Sequence, residues 1–257
     1  MKELIGVIHL KPLPGAFSSR EKFDDILNFA LNDAENLLKG GIRKVIVENF
    51  GDAPFRCDSV EPHTVAYMTH AIIKIKEKFP ELTLGVNVLR NDGKAAIAIA
   101  SATGAEFVRI NVLTYSMVTD CGIVNGRAHE VMAYRKLLNP EIKVYADVLV
   151  KHAYPLNQYN PVQVAKDTVE RGGADAIIVT GESTGKEVDV DILKKIRSAT
   201  RNVRIIVGSG LSVDNIRNYL EFADGFIVGT SLKKYGLVDN PVDPLKVREL
   251  VEFIGEL

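Results

Sequence analysis

Short runs of apolar, β-branched residues alternate with helical patterns from one end of the chain to the other. Each run stays apolar for several consecutive residues, as in strands that are buried on both faces of a parallel sheet. Strict alternation of this kind predicts parallel strands with helices packed outside them. The predicted strands cover residues 4–10, 43–49, 82–88, 106–111, 143–149, 176–180, 203–208 and 225–229.

About eight such repeats in 257 residues favour an α/β fold with a closed (βα)8 architecture, the TIM barrel. A doubly wound open sheet is the alternative. No linker or compositional break interrupts the repeats, so residues 1–257 are predicted to form one domain. The predicted helices cover residues 22–41, 62–79, 92–105, 160–174, 189–200, 212–223 and 243–257.

Charge and composition exclude several classes of function. The formal net charge is −1, Trp is absent and no basic run is interleaved with aromatic residues, so nucleic acid is not an expected partner. The longest apolar windows are too short to span a bilayer, which predicts a cytoplasmic protein without a transmembrane segment. Cys57 and Cys121 are far apart and form no CxxC motif, which fits a reducing compartment better than a disulfide framework or a zinc site.

Glycine-rich turns follow the seventh and eighth predicted strands. Residues 208–212 read GSGLS and residues 228–231 read VGTS. Glycine lets backbone N–H groups approach an anion, a helix N-terminus adds its dipole, and the last two strands of such barrels often build a phosphate site. The alternative is a pair of tight turns without a ligand. The predicted phosphate-binding residues are Gly208, Ser209, Gly210, Leu211, Gly229 and Thr230, with Gly181 of the TGEST motif (180–184) as a further contributor.

Polar residues end six consecutive predicted strands, at the mouth where barrel enzymes keep their sites. Burying such groups costs about 1–3 kcal/mol each unless they find partners, and a polar substrate supplies some of them. The alternative is a plug of polar groups that satisfy one another. The candidate catalytic residues are His9, Glu48, Asn87, Asn111, Asp147 and Lys151, with Glu48 or Asp147 as general base and His9 or Lys151 as acid.

Residues two apart in a strand share a face, so Arg109 lies one layer below Asn111 if Asn111 faces the lumen. A buried guanidinium demands a carboxylate, and we expect Asp147 first and Glu48 second as its partner. A metal site improvised from Glu48, Asp147 and His152 has no specific ligand spacing. We therefore predict no metal site and no certain cofactor, with a divalent metal as an open alternative.

The stretch VENFGDAPF (47–55) follows the second predicted strand and contains two aromatic residues. We expect this loop to act as a lid in which Phe50 and Phe55 cover a ligand and Asp52 contacts it, because loops at this face usually carry function. The alternative is a loop folded onto the rim by its own aromatic residues. The lid residues are Asn49, Phe50, Gly51, Asp52 and Phe55.

This loop resembles a signature of the BtpA/SgcQ family. So do IGVIHLKPLPG (5–15), VEPHTVAYMT (60–69), residues 104–136, and the glycine turns, which extends the resemblance over essentially the whole chain. The resemblance implies a barrel of the ribulose-phosphate-binding type. One branch of the family is named for photosystem I biogenesis and another for a sugar-utilisation gene cluster, and similar sequences are labelled phosphoribosylanthranilate isomerase. That enzyme needs a cysteine at the end of its first strand, where this sequence has His9, Leu10 and Lys11.

Two hypotheses follow. In the first, the chain is an enzyme that acts on a phosphorylated sugar or phosphoribosyl compound by isomerisation, aldol-type cleavage or glycosyl transfer. In the second, it is a non-catalytic assembly factor on a barrel scaffold, with a self-satisfied polar plug and a large apolar outer patch. Barrels of this type often pair through outer helices, so a homo-oligomer is expected in either case.

Overall fold

A computed structural model describes residues 2–157, 159–181, 187–200 and 202–256. Eight parallel strands close into a barrel in the order β1-β11-β10-β9-β7-β4-β3-β2, which confirms the predicted fold class. The barrel strands are β1 (Glu3–His9), β2 (Lys44–Glu48), β3 (Thr83–Asn87), β4 (Phe107–Ile110), β7 (Lys143–Leu149), β9 (Ala176–Thr180), β10 (Arg204–Gly208) and β11 (Gly225–Val228).

Seven α-helices in the described part of the chain cover the outside of the barrel and pack apolar residues against it. Some of the helices begin after an aspartate N-cap. Asp92 and Asp189 accept hydrogen bonds from backbone N–H groups of the first turn, as short polar side chains commonly do at this position. The helices are α1 (Phe23–Lys39), α2 (Pro62–Lys78), α3 (Gly93–Thr103), α4 (Ala128–Leu138), α5 (Pro161–Glu170), α6 (Val190–Ala199) and α7 (Pro244–Gly255).

Two sequence expectations for helices need correction. The helix predicted over residues 212–223 is only a short 3-10 turn, Ile216–Tyr219. The Asn215 side chain accepts from Ser212 N at 3.0 Å and donates to Gly210 O at 2.7 Å, while Ser212 O accepts from the backbone N–H groups of Asn215 and Ile216. This segment is therefore a turn braced by the Asn215 side chain and not a regular α-helix. Conversely, the sequence analysis does not predict α4. Val131 is the one buried residue in this helix as the structure describes it, so the sequence carries little apolar periodicity there.

The connections over residues 112–126 and 151–160 contain three further strands. Strands β5 (Ser116–Thr119), β6 (Gly122–Asn125) and β8 (Ala153–Pro155) form a small antiparallel sheet in the order β6-β5-β8. Met117 and Val124 pack beneath it with Val112 and Val150. This sheet therefore forms part of the rim above the C-terminal ends of β4 and β7.

The barrel interior is filled by inward-facing residues from seven of the eight strands, and the Phe107 ring occupies the space beside Gly85 of β3. Ile5, Val7, Ile46, Phe107, Tyr145, Ala176, Ile178, Ile206 and Ile227 form one buried cluster. Below it, at the N-terminal ends of the strands, Lys44 Nζ lies 3.0 Å from Glu3 Oε1 and donates to Tyr145 Oη at 3.0 Å. Arg204 Nη2 donates to Glu3 Oε2 at 2.9 Å. We call Glu3, Lys44, Tyr145 and Arg204 the closed end.

Candidate functional site at the barrel mouth

The mouth of the barrel is built by the residues that follow the apolar cluster on the same inward face. His9 ends β1, Glu48 ends β2 and Asn87 ends β3, in one row across the sheet register. Because side chains alternate along a strand, each lies two residues beyond a lumen position. Five of the candidate catalytic residues and Arg109 are buried, with relative exposures of 7% or less. These residues are His9, Glu48, Asn87, Arg109, Asn111 and Asp147.

Arg109 forms the ion pair predicted from face parity. Its Nε and Nη2 donate to the two carboxylate oxygens of Asp147 at 3.0 and 2.8 Å, and its Nη1 lies 4.0 Å from Glu48 Oε2. Asn111 Nδ2 also donates to Asp147, at 3.2 Å. Asp147 is therefore saturated by a bidentate guanidinium and an amide, while Glu48 keeps a looser environment.

His9 and Glu48 form a second pair, with Nε2 and Oε1 3.4 Å apart. Burial lowers the pKa of His9 well below 6.5, and the positive charges of Lys233 and Lys151 act in the same direction. The ring is consequently neutral at pH 7. Phe50 packs edge-on against it, with ring centroids 4.9 Å apart.

Three buried polar atoms at the mouth have no hydrogen-bond partner within the part of the chain that the structure describes: His9 Nδ1, Asn87 Oδ1 and Ser209 Oγ. Asn87 cannot exchange its amide atoms, because Nδ2 donates to the Arg109 carbonyl at 2.9 Å, and a carbonyl can only accept. Leaving such atoms unpaired costs free energy in a folded protein. Their convergence at one mouth is what a binding site for a polar ligand requires.

Lys151 follows β7 and borders both cavities at the mouth. Its ammonium group makes no hydrogen bond or ion pair with any described residue. Burial lowers the pKa of Lys151; the charge of Arg109 acts in the same direction, and that of Glu48 opposes it. Lys151 is therefore a desolvated cation without a counter-ion in contact.

Arg90, which is not among the predicted site residues, holds the turn that contains Lys151. Its Nη2 donates to the carbonyls of Lys151 and His152 at 3.2 and 3.0 Å, and its Nε lies 3.5 Å from Asp120 Oδ1 on the β5–β6 turn. Arg90 lies beyond the end of β3, so strand parity says nothing of it. Its only sequence signal is a basic residue at a predicted barrel mouth.

The first cavity, of about 370 Å³, joins this charged cluster to the glycine turns. Ser209 and Gly210 have φ values of 73° and 66°, a left-handed conformation that strains a serine and favours a glycine. Such strain is typical of functional turns. The cavity is lined on this side by Ser209, Gly210, Leu211, Ser212, Asn215, Gly229, Thr230 and Ser231.

The carbonyls of the β10 turn are held away from its free amides. Asn215 donates to Gly210 O, and Ser231 Oγ donates to Leu211 O at 2.6 Å, which also ties the two turns together. The amides of Gly210 and Leu211 donate to no acceptor among the described residues. Because N–H and C=O of one trans peptide point in opposite directions, the Leu211 N–H points away from Asn215.

Two of the glycines have packing reasons as well. A Cβ on Gly229 would lie 3.0 Å from His9 Cε1, and one on Gly208 would lie 3.3 Å from Ile178 Cγ2. The helix dipole expected after β10 is absent, because no α-helix begins there. Gly181 follows β9 and is buried, and residues 182–184 of the TGEST motif lie outside the described residues.

The second cavity, of about 290 Å³, lies beside the first and shares Glu48, Arg109 and Lys151 with it. The lid loop begins at Asn49 and continues to residue 60, just before α2. Its Phe50 and Phe55 line the second cavity together with Asn87, Leu89, Arg90, Asn111, Asp120 and His152. The two phenyl rings therefore face a cavity, as expected of a lid.

The remaining lid residues fold the loop onto the rim. Asp52 accepts from Leu13 N at 2.8 Å and from Asn49 Nδ2 at 3.0 Å, and Asn49 Oδ1 accepts from Leu89 N at 2.8 Å. A Cβ on Gly51 would lie 2.4 Å from Pro12 N, so only glycine fits. The expectation that Asp52 contacts a ligand needs correction, because both of its oxygens hold the loop and it borders a different cavity.

The described residues contain no group of three or more His, Cys, Asp or Glu side chains that could hold a metal ion. None of the helices in the described part of the chain has the length and apolarity needed to cross a bilayer.

Solved structures share the TIM-barrel fold of this chain. It is similar to phosphoribosyl anthranilate isomerase from Thermus thermophilus, with a TM-score of 0.61 and 11% identity over 99% of this chain and 98% of that one. It is also similar to orotidine 5'-phosphate decarboxylase from Pyrococcus horikoshii OT3, with a TM-score of 0.59 and 14% identity over 98% and 100% of the two chains.

Sequence comparison then gives the family. Residues 1–256 match the BtpA family, and the chain belongs to it. It is 48% identical to an uncharacterized protein of Thermococcus kodakarensis over 100% of this chain and 96% of that protein. It is 40% identical to the photosystem I biogenesis protein BtpA of Synechocystis over 98% of this chain and 88% of that protein.

Proposed function

We propose that this protein is an enzyme that acts on a phosphorylated sugar or phosphoribosyl compound. One observation carries the proposal: a single cavity joins free backbone amides of the β10 turn to an unpaired Lys151 and to the neutral His9 beside Glu48. Amides and a desolvated ammonium group suit a phosphate, whereas a carboxylate and imidazole suit proton transfer. Solved barrels of similar fold named for phosphoribosyl and 5'-phosphate compounds support this assignment.

The phosphate binds at the amides of Gly210 and Leu211, with the unpartnered Ser209 hydroxyl as a further donor. Gly229 and Thr230 close the other side of this pocket. Anchoring the phosphate holds the rest of the substrate over the charged cluster. The non-phosphorylated end lies in the second cavity, under Phe50 and Phe55.

Glu48 serves as the general base. Asp147 is held by Arg109 and Asn111 through both oxygens, so its role is to fix the guanidinium and the amide row rather than to accept a proton. A loosely held carboxylate near a lysine suits proton abstraction next to a carbonyl group, with Lys151 stabilising the charge that develops. This arrangement favours isomerase or lyase chemistry over a glycosyl transfer that uses two carboxylates.

A thermal-shift screen of phosphorylated sugars, nucleotides and inorganic phosphate, with and without divalent metal, tests the proposal. A ligand at 100 times its dissociation constant adds about 2.7 kcal/mol of stability. Gly210→Asp is expected to abolish the shift by placing a carboxylate at the phosphate. Gly210→Asn is the matched control, because it has similar size and tolerates the left-handed φ without the charge. Absence of a shift with every ligand contradicts the proposal.

A second candidate function, assembly of other proteins, is favoured by the name of the Synechocystis relative and by one surface. Ile123, Val118 and Tyr154 are cross-strand neighbours on the outer face of the small sheet, with exposures of 54, 39 and 77%. If this row of side chains mediates assembly or a homo-oligomer, the Tyr154→Ser and Ile123→Ser variants should each sediment with a smaller coefficient than the wild-type protein. The three unpartnered atoms at the mouth argue against a self-satisfied plug and favour the enzyme.

A further inference from the structure

Two cysteines that are 64 residues apart in the sequence meet at the rim of the mouth. Cys57 lies in the lid loop, and Cys121 lies in the turn between β5 and β6. The Cys57 thiol donates to the Cys121 carbonyl. Both residues are partly buried and pack against the cluster of Met117 and Val124. Their separation in the sequence predicts no contact between the two cysteines, but the fold brings them together.

We propose that Cys57 and Cys121 are a disulfide-forming site that ties the lid loop to the β5–β6 hairpin. The oxidant is a low-molecular-weight disulfide such as oxidised glutathione. One protein thiolate attacks a sulfur of the oxidant, which forms a mixed disulfide and releases one small thiol. The second protein thiolate attacks the mixed disulfide, forms the Cys57–Cys121 bond and releases the other small thiol. Two protein thiols are oxidised, the oxidant is reduced to two thiols, and these carry the two protons.

The surroundings of Cys57 set the pH dependence of the reaction. Burial and the contact with Cys121 raise the pKa of Cys57 to about 11. Because the thiolate is the nucleophile, we expect the oxidation to become faster as the pH rises. The second step is intramolecular between groups already in contact, which favours it over capture by another small thiol.

The disulfide bears on the site because both of its anchors border the second cavity. The lid loop carries Phe50 and Phe55, and the hairpin carries Asp120, whose carboxylate lies 3.5 Å from Arg90 Nε. Arg90 in turn holds the turn of Lys151. Oxidation therefore joins the two walls of this cavity covalently and restricts opening of the lid.

Oxidised glutathione followed by alkylation and peptide mass spectrometry tests the site in the wild-type protein. The expected product is a Cys57–Cys121 cross-linked peptide that dithiothreitol reverses. Cys57→Ser and Cys121→Ser are the matched controls, each expected to carry a single glutathione on the remaining cysteine. A wild-type protein that carries glutathione on both cysteines, or in which both remain free thiols, overturns the proposal.

Two readouts follow the mechanical consequence. Trypsin cleavage after the exposed Arg56, next to Cys57, should slow at least roughly tenfold on oxidation, because local opening of the loop is restricted. The melting temperature should rise by about 5–15 °C, since the bond closes a long loop in the unfolded chain. Neither readout changes in the two serine variants. Unchanged cleavage at Arg56 in fully cross-linked protein contradicts the claim that the bond restrains the lid.

Discussion

The two ends of the barrel interior both contain charged residues, but they differ in how these are paired. At the closed end, Lys44 contacts Glu3 and Tyr145, and Arg204 completes the pairing of Glu3. At the mouth, His9 Nδ1, Asn87 Oδ1 and Ser209 Oγ have no partner among the described residues. The closed end therefore behaves as a structural plug, whereas the mouth retains unsatisfied groups that a ligand can complete.

The mouth itself is divided into two halves. On one half, β1, β2 and β3 end in His9, Glu48 and Asn87, and β7 contributes Asp147. On the other half, β10 ends in Gly208 and β11 is followed by Gly229, so that the backbone of these turns borders the cavity. Side chains on one half perform proton transfer, and amides on the other half bind an anion at fixed positions. Such a division suits a substrate with a phosphate at one end and reactive groups at the other.

The largest difference between the two ends is expected on removing an arginine. Arg109→Met leaves the buried Asp147 carboxylate unpaired and should lower the free energy of unfolding by about 3–5 kcal/mol. Arg204→Met at the closed end removes a pair in which the arginine is about half exposed, and should cost about 0–1 kcal/mol. Urea unfolding measures both. Equal losses would show that the mouth network is no more buried than the plug.

Lysine substitutions should change stability in opposite directions. Lys151→Met removes an unpaired, desolvated cation and is expected to stabilise the protein by about 0.5–2 kcal/mol while weakening phosphate binding. Lys44→Met removes the donor to Tyr145 Oη and one of the two cationic partners of Glu3, and should destabilise the protein by about 1–3 kcal/mol. A loss of stability in Lys151→Met would mean that the lysine has a structural partner. The mouth would then be paired in the same way as the closed end.

Acid should destabilise the mouth through His9. The folded-state pKa of His9 lies below its unfolded value of about 6.5, so the unfolded chain binds more protons between the two values. Stability therefore falls as pH drops below about 6.5, by up to about 1.4 kcal/mol per pH unit. His9→Gln should flatten the curve between pH 7 and 5, and His152, whose pKa burial also lowers, contributes equally to both proteins. Parallel curves would exclude a buried, neutral His9.

The smallest effect is expected at the strained serine of the β10 turn. Ser209→Gly relieves a left-handed φ of 73° and should stabilise the protein by about 0.5–1 kcal/mol. Anion affinity should fall severalfold, because the unpartnered hydroxyl is lost. Calorimetric titration with inorganic phosphate measures the affinity. Unchanged affinity would place the serine outside the phosphate site.

Periodicity predicts the barrel well because each strand is buried on both faces and its apolar run survives in the sequence. Parity along a strand also predicts that Arg109 pairs with Asp147, since it depends only on the two-residue repeat. The helix predicted after β10 is wrong because the segment forms a short 3-10 turn whose start is braced by the Asn215 side chain, a contact that the local pattern does not reveal.

Residues outside the strands are much harder to predict. Arg90 acts on backbone carbonyls more than 60 positions away, and Asp52 stabilises its own loop rather than a ligand. The contact between Cys57 and Cys121 depends on how two irregular segments fold across the rim. Neither periodicity nor spacing encodes such contacts, because they depend on the closure of the whole barrel.

The most direct measurement is a crystal structure of the protein with the phosphate ester that stabilises it most in the thermal-shift screen. We expect electron density for the phosphate against the amides of Gly210 and Leu211, with Lys151 in contact with it. The other end of the ligand should lie near Asn87 and Phe55. Density for the phosphate elsewhere on the surface, with His9, Asn87 and Ser209 still unpartnered, would contradict it.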